Sequence, residues 1–289
     1  MPAYLVVLVL GVLVGVTGGA GPEQRGATAV LTVATVLPGQ TPPTALPATG
    51  LPPAAQAPSP TPPAAPAPAN LPVIEYWTSP RGFPPDPAPR STAVITTGLR
   101  PLSPLVAYDA PGGKPRAILP TSISGVPVTV PIVSRRVGWV AVLLPSVNRT
   151  VGWLPAGRWM SRPLPDQLVL HRRTHELTWL RHGARKSTWT VAVGAPATPT
   201  PLGRTFVLGR TRTDGAAYAG LDALALGSVP DDRQAVSPGL RRAHTGIHGW
   251  YRTSAFGRSV SNGCIRVPGA GQRALLRNIA PGTAVIVVE

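Results

Sequence analysis

Cys264 is the sole cysteine in a chain of 289 residues, and it sits in the run Ser261-Asn262-Gly263-Cys264-Ile265-Arg266. His248-Gly249 lies 16 positions upstream. A lone thiol has no intramolecular disulfide partner. A thiol preceded by glycine and a hydroxyl residue, and followed by arginine, suits a reactive role. The thiolate is the nucleophile, and a nearby imidazole or positive charge lowers a thiol pKa from about 8.5 toward neutrality. Attack on an acyl carbon also needs a group that takes the thiol proton and later protonates a leaving amine. His248 can do both. Backbone N–H groups around Gly263 and Cys264 can form an oxyanion hole. Ser261 and Gly249 belong to the same loop set, with Ser261 expected to hold the turn or orient the imidazole. Arg266 can bias the thiol toward thiolate, bind a substrate carboxylate, or fix the loop through an ion pair. Asn262, Trp250 and Tyr218 are the further candidates for substrate contact, and packing competes with that role for the aromatics, Tyr251 included. His244 would share a strand face with His248 and is expected to play a supporting or surface part. With one cysteine and scattered histidines, no metal site is expected, and the chemistry needs no cofactor.

These residues must be held by a β-rich domain, residues 166–289. Leu168–His171, Glu176–Leu180 and Ser187–Val193 read as a meander with turns at Arg173-Thr174 and His182-Gly183. Thr205–Leu208 and Ala284–Val288 add strands. A short helix is expected over Gly271–Ala280, with Leu275, Leu276 and Ile279 on one face and Pro281-Gly282 as its stop.

This set resembles the L,D-transpeptidase (YkuD-type) catalytic domain. Ile247-His248-Gly249, Gly257 and Ser261-Asn262-Gly263-Cys264-Ile265-Arg266 follow the family's His-Gly…Ser-x-Gly-Cys-x-Arg signature, and Thr198-Pro199-Thr200-Pro201-Leu202-Gly203-Arg204-Thr205-Phe206 looks like its Thr-Pro-x-Gly-x-Phe segment. The chain departs from the family at Asn262, where some members have His, at Val267, and at Pro268-Gly269-Ala270, where an acidic residue is common. The resemblance implies a β-sandwich and peptidoglycan crosslinking. Cys264 would form a thioester with a tetrapeptide stem, expel D-Ala, and pass the acyl group to the side-chain amine of a second stem. It also implies acylation of the thiol by carbapenem-type β-lactams. Rival readings are an L,D-carboxypeptidase with water as acceptor and a non-catalytic wall-binding protein. Sortase-type enzymes space their His and Arg further from Cys, and papain-like hydrolases place Cys before His.

Upstream, residues 91–160 contain five short strand-like runs punctuated by turns, which read as a small all-β barrel. Gly138-Trp139-Val140 and Gly152-Trp153-Leu154 resemble the Gly-Trp-Val pattern of bacterial SH3-like domains, with core packing the competing role for both tryptophans. Residues 21–90 read as a Pro/Ala/Thr-rich linker, and 38–90 hold 18 of the 38 prolines. Such a stretch is expected to be a disordered, semi-rigid spacer that buries no core. Residues 1–20 carry an apolar run from Tyr4 to Val16 followed by Thr17-Gly18-Gly19-Ala20, expected as a signal peptide or a membrane anchor. The run is short against the roughly 20 apolar residues of a spanning helix.

The net charge is +16, with Lys114 and Lys186 the only lysines among 27 basic residues. A surface this basic favours anionic polymers such as those of a cell wall. No nucleic-acid-binding motif accompanies it. The sequence therefore predicts an all-β, exported, monomeric enzyme acting on peptidoglycan stem peptides outside the cytoplasm.

Overall fold

A computed structural model describes residues 61–76, 80–146, 149–213, 215–227 and 245–289. The expected export segment 1–20, the linker up to residue 60 and His244 lie outside the described residues. The first half supplies β1 (Thr97–Pro101), β2 (Leu105–Tyr108), β3 (Pro115–Leu119), β4 (Ser122–Ile123), β5 (Val126–Pro127), β6 (Val130–Arg136), β7 (Trp139–Leu143), β8 (Val151–Pro155) and β9 (Trp159–Pro163). Seven of these form an antiparallel sheet in the order β3-β2-β8-β7-β6-β1-β9, and β4 and β5 pair as a separate hairpin. Trp139 is buried, its indole N–H donates to Pro62 O (2.9 Å), and its ring meets Tyr108 edge-on. Trp153 is half-buried against the same core.

The second half supplies β10 (Asp166–His171), β11 (Glu176–Arg181), β12 (Ala184–Thr190), β13 (Val193–Gly194), β14 (Gly203–Thr211), β15 (Ala223–Leu226), β16 (Gly246–Gly249), β17 (Ser259–Ser261), β18 (Ile265–Val267), α1 (Gly269–Asn278) and β19 (Ala284–Val288). Eight strands run in the order β12-β11-β10-β19-β14-β15-β16-β18. The expected meander is β10–β11–β12, closed at one hairpin by His182 and Gly183. Both have positive φ (51° and 78°), the conformation a two-residue hairpin turn matched to strand twist requires. The helix begins two residues earlier than expected. Its face of Gly271, Gln272 and Leu275 is buried, Ile279 just past its end is also buried, and Gln272 Nε2 donates to Ile247 O (3.2 Å) and Asp222 O (2.8 Å). This ties the helix to the strand that carries His248.

Alternation along β14, β15, β16 and β18 gives this sheet two distinct faces. Val207, Leu224, Leu226, Ile247, Ile265 and Val267 point into the core beneath α1, together with Leu275 and Ile279. Phe206 and Leu208 point the other way and join the core of the first half.

The expectation that the proline-rich stretch buries no core is overturned for its last part. Ile74, Tyr76 and Phe83 are buried in the same cluster as Phe206 and Leu208. Ile74 N–H donates to Ile118 O, and Ile118 N–H to Pro72 O, both at 2.8 Å. Asp86 forms a buried two-pronged ion pair with Arg204 of β14, with Nε at 2.7 Å from Oδ2. Proline prevents a regular strand here by removing donors. The few large apolar side chains between prolines are enough to dock the segment. The described residues accordingly fall within one compact unit, Ala57–Glu289.

Removing one partner of a buried ion pair strands the other charge, at a cost of about 3–5 kcal/mol. Asp86→Ala is therefore expected to lower unfolding stability by about that much in urea denaturation, and adding Arg204→Met to it should recover most of the loss. An Asp86→Ala chain as stable as the parent would show that the pair contributes nothing.

Candidate active site

The site is assembled where β16 and β18 run side by side. They pair in parallel, with Ile247 opposite Ile265, His248 opposite Arg266 and Gly249 opposite Val267. Side chains in register share a face, so His248 and Arg266 point together, away from Ile247, Ile265 and the core. Continuing the register one residue back sets Cys264 beside Gly246, on that same face. Ala223, Ala225 and Gly246 keep this face low, and a Cβ at Gly246 would lie 2.9 Å from Leu224 O.

The turn before Cys264 is fixed by its own hydroxyl and by two threonines. Ser261, almost fully buried, donates from Oγ to Cys264 O (2.6 Å) and accepts from Gly263 N–H (3.2 Å). Gly263 has φ 108°, where a side chain would be strained. Thr200 Oγ1 donates to Gly263 O (3.0 Å) and accepts from Gly194 N–H (2.9 Å), and Thr198 Oγ1 donates to Ser261 O (3.2 Å). Ser261 is thus bonded at both ends of the Gly263–Cys264 turn. Thr198 and Thr200 received no role from the sequence, although both lie in the quoted Thr-Pro run. Asn262 stands exposed at the tip of the turn.

His248 Nδ1 lies 2.8 Å from Gly249 O. A carbonyl only accepts, so Nδ1 carries the proton and Nε2 is left as the basic nitrogen. Tyr218 packs edge-on against the imidazole at 4.9 Å between ring centroids, and Trp250 lies at 5.8 Å. Gly249 lets Tyr218 come close, since a Cβ there would lie 2.8 Å from Tyr218 O. Arg266 stacks its guanidinium 3.7 Å above the Trp250 ring and donates to Val260 O (3.4 Å). It makes no ion pair among the described residues, so a loop-fixing salt bridge is not what holds it.

The electrostatics differ from the expectation of a thiol lowered toward neutrality. Desolvation pushes the Cys264 thiol up, and this outweighs a main-chain hydrogen bond from Gly246 and the positive charge of Arg266, both of which pull it down. Desolvation likewise pushes His248 down, countered by the Gly249 carbonyl and reinforced by Arg266. One shift is up and the other down, so the free protein carries a neutral thiol and a neutral imidazole at pH 7. In this state a thiol that attacked an electrophile would have to lose its proton as the new bond formed, which is where a base with a free Nε2 is useful. The rate of Cys264 alkylation by iodoacetamide is expected to climb through a midpoint above about 8.5. A plateau already reached at pH 7 would instead reveal a pre-formed thiolate–imidazolium pair.

Residues 165–287 match the family model described as the L,D-transpeptidase catalytic domain, YkuD. The Bacillus subtilis protein YkuD is 29% identical over 124 residues, which are 43% of this chain and 66% of that protein, so the chain spans about two thirds of this curated relative. Among solved structures, L,D-transpeptidase 3 from Mycobacterium tuberculosis, in complex with a faropenem-derived adduct, is 19% identical with a TM-score of 0.36, over 49% of this chain and 74% of that one. The catalytic domain of an Enterococcus faecium L,D-transpeptidase is 20% identical with a TM-score of 0.31, over 43% of this chain and 98% of that one. The stretch from residue 165 to 287, which carries His248, Cys264 and Arg266, is thus the part of the chain that is similar to L,D-transpeptidase catalytic domains of the YkuD type.

Proposed function

We propose that the chain is a peptidoglycan L,D-transpeptidase. The observation that carries this reading is the shared face of β16 and β18, which presents His248, Cys264 and Arg266 together above a turn pinned by Ser261 and Thr200. The Cys264 sulfur attacks the carbonyl carbon at the L-centre of the third stem residue, and its proton passes to His248 Nε2. The carbon–nitrogen bond to terminal D-Ala breaks, and the amine leaves with the proton from the imidazole. The side-chain amine of a second stem then attacks the thioester carbon. The carbon–sulfur bond breaks and the amine's proton returns through His248 to the thiol. Gly263 N–H is engaged by Ser261 Oγ, which leaves the Cys264 N–H as the donor of this turn that would face the developing oxyanion. Arg266, lacking an acidic partner among the described residues, holds a substrate carboxylate. Trp250 and Tyr218 wall the cleft, and Asn262 at the exposed tip contacts the stem.

The reading places the protein outside the cytoplasm, as a monomer that acts on stem peptides and leans on anionic wall polymers through its +16 charge. Residues 1–20 act as its export signal or anchor. Residues 91–160 serve as an SH3-like module that spaces the catalytic domain or holds it to the wall.

The test is incubation of the purified chain with a disaccharide-tetrapeptide, followed by mass spectrometry, beside Cys264→Ala. A crosslinked dimer lacking one D-Ala is expected, with at least about a thousandfold less in the variant. Free tripeptide without dimer would make the protein an L,D-carboxypeptidase. A folded protein whose thiol takes up neither stem nor carbapenem would end the enzyme reading and leave the wall-binding one.

A further inference from the structure

Residues 61–65 lie against the seven-stranded sheet, upstream of the segment that docks at Ile118. Two aromatic side chains hold them there. The Trp139 indole N–H donates to Pro62 O (2.9 Å), and the Tyr108 hydroxyl donates to Ala65 O (2.7 Å). The two rings are buried and meet edge-on at 5.2 Å, with both donors spent on the same short segment. Two turn glycines make the room. A Cβ at Gly112, between β2 and β3, would lie 2.8 Å from Pro62 Cβ, and one at Gly138, between β6 and β7, would lie 2.2 Å from Thr61 Cγ2. The accepting carbonyls are three residues apart. Proline fixes its own φ and pushes the residue before it into the extended region. The result is a helix of three residues per turn, in which every third carbonyl faces the same way. Aromatic-lined grooves take proline-rich segments in this form.

The unit in this groove is one of three. Thr41-Pro42-Pro43-Thr44-Ala45, Leu51-Pro52-Pro53-Ala54-Ala55 and Thr61-Pro62-Pro63-Ala64-Ala65 recur at a period of ten residues, and the first two lie outside the described residues. The positions that recur unchanged are those of Pro62, Pro63 and Ala65. Pro62 and Ala65 supply the two carbonyls, and Ala65 alone of the five is half-buried. The position of Thr61 also takes Leu, and the exposed position of Ala64 also takes Thr. We propose that the groove over Tyr108 and Trp139 is a recognition site for the x-Pro-Pro-x-Ala unit, filled by Thr61–Ala65 and open by exchange to the two upstream units of the same chain. The groove reads main-chain carbonyls, which every unit offers alike, and a longer loop costs little to close. Each exchange adds ten residues between the groove and Pro72. The site thereby sets, in three steps, how much proline-rich chain is free. This goes beyond the acyl transfer proposed above and does not depend on it.

The test uses the full chain and two variants of it. The double variant carries Pro62→Gly and Pro63→Gly. The sixfold variant adds Pro42→Gly, Pro43→Gly, Pro52→Gly and Pro53→Gly. Glycine keeps every carbonyl and removes the preset backbone. Pro62 and Pro63 are exposed, so the sheet should stay folded, and slow exchange of the β7 backbone amides checks this. Exchange of the Trp139 indole N–H with deuterated water is followed by NMR. It should be about tenfold to thirtyfold slower in the parent than in the sixfold variant, for two hydrogen bonds made together. The double variant should stay within about fivefold of the parent, because the next unit enters over a longer loop. A double variant that exchanges as fast as the sixfold one would overturn the exchange of units. Parent-like exchange in the sixfold variant would show that the groove does not read prolines at all.

Discussion

The parallel pairing of β16 with β18 is the constraint from which the site follows. Two short strands in register oblige alternate residues to opposite faces. Ile247, Ile265 and Val267 are drawn into the apolar core with Leu275 and Ile279 of the helical segment, and this burial turns His248 and Arg266 outward on the other side. The apolar residues thus aim the polar ones. Gln272 adds a second restraint by donating to the carbonyl of Ile247 from the helix side, so the strand cannot slide without breaking a buried hydrogen bond. A slip of one residue would exchange the core set for the polar set, and the cost of burying an imidazole and a guanidinium in that core forbids it.

The chemistry that this frame permits depends on where charge is tolerated. Cys264 and His248 both lie where desolvation opposes ionisation, so each rests in its neutral form. Arg266 is the permanent charge among them. It is held over the Trp250 ring, which supplies a polarisable face in place of a counter-ion. Such an arrangement leaves the cation open to an incoming anion.

Much of this was legible in the sequence because the residues of the candidate site lie close together in the chain. Ser261 to Arg266 is one turn and one strand, and the meander of β10 to β12 announces itself by alternation and by His182-Gly183. The helix α1 was visible from Leu275, Leu276 and Ile279. Strands with little apolar alternation were not: β9 is mostly exposed, and β15 reads Ala-Leu-Ala-Leu, whose small alanines lie on the face that bears His248. The contacts of Thr198 and Thr200 with the turn come from some 63 residues away, and no local pattern reports such a distance. The depression of the thiol pKa expected from Arg266 and His248 failed for a related reason: neighbouring charges can be read from order in the chain, whereas burial cannot. Tyr76 and Asp86 were hidden by composition, because a count of prolines obscures the few residues between them that dock.

The docked segment also gives the fold a mechanical property. Force applied to the chain upstream of residue 62 does not reach the first sheet strand directly. It meets the hydrogen bonds of Pro62 with Trp139 and of Ala65 with Tyr108, then the two at Ile118, then the buried rings of Tyr76 and Phe83, and then the ion pair of Asp86 with Arg204 on β14. These restraints lie in series, so tension is taken up before β1, and the last of them passes it to β14, two strands from β16. The strength of the Asp86 anchor then sets how much of such a load passes to β14.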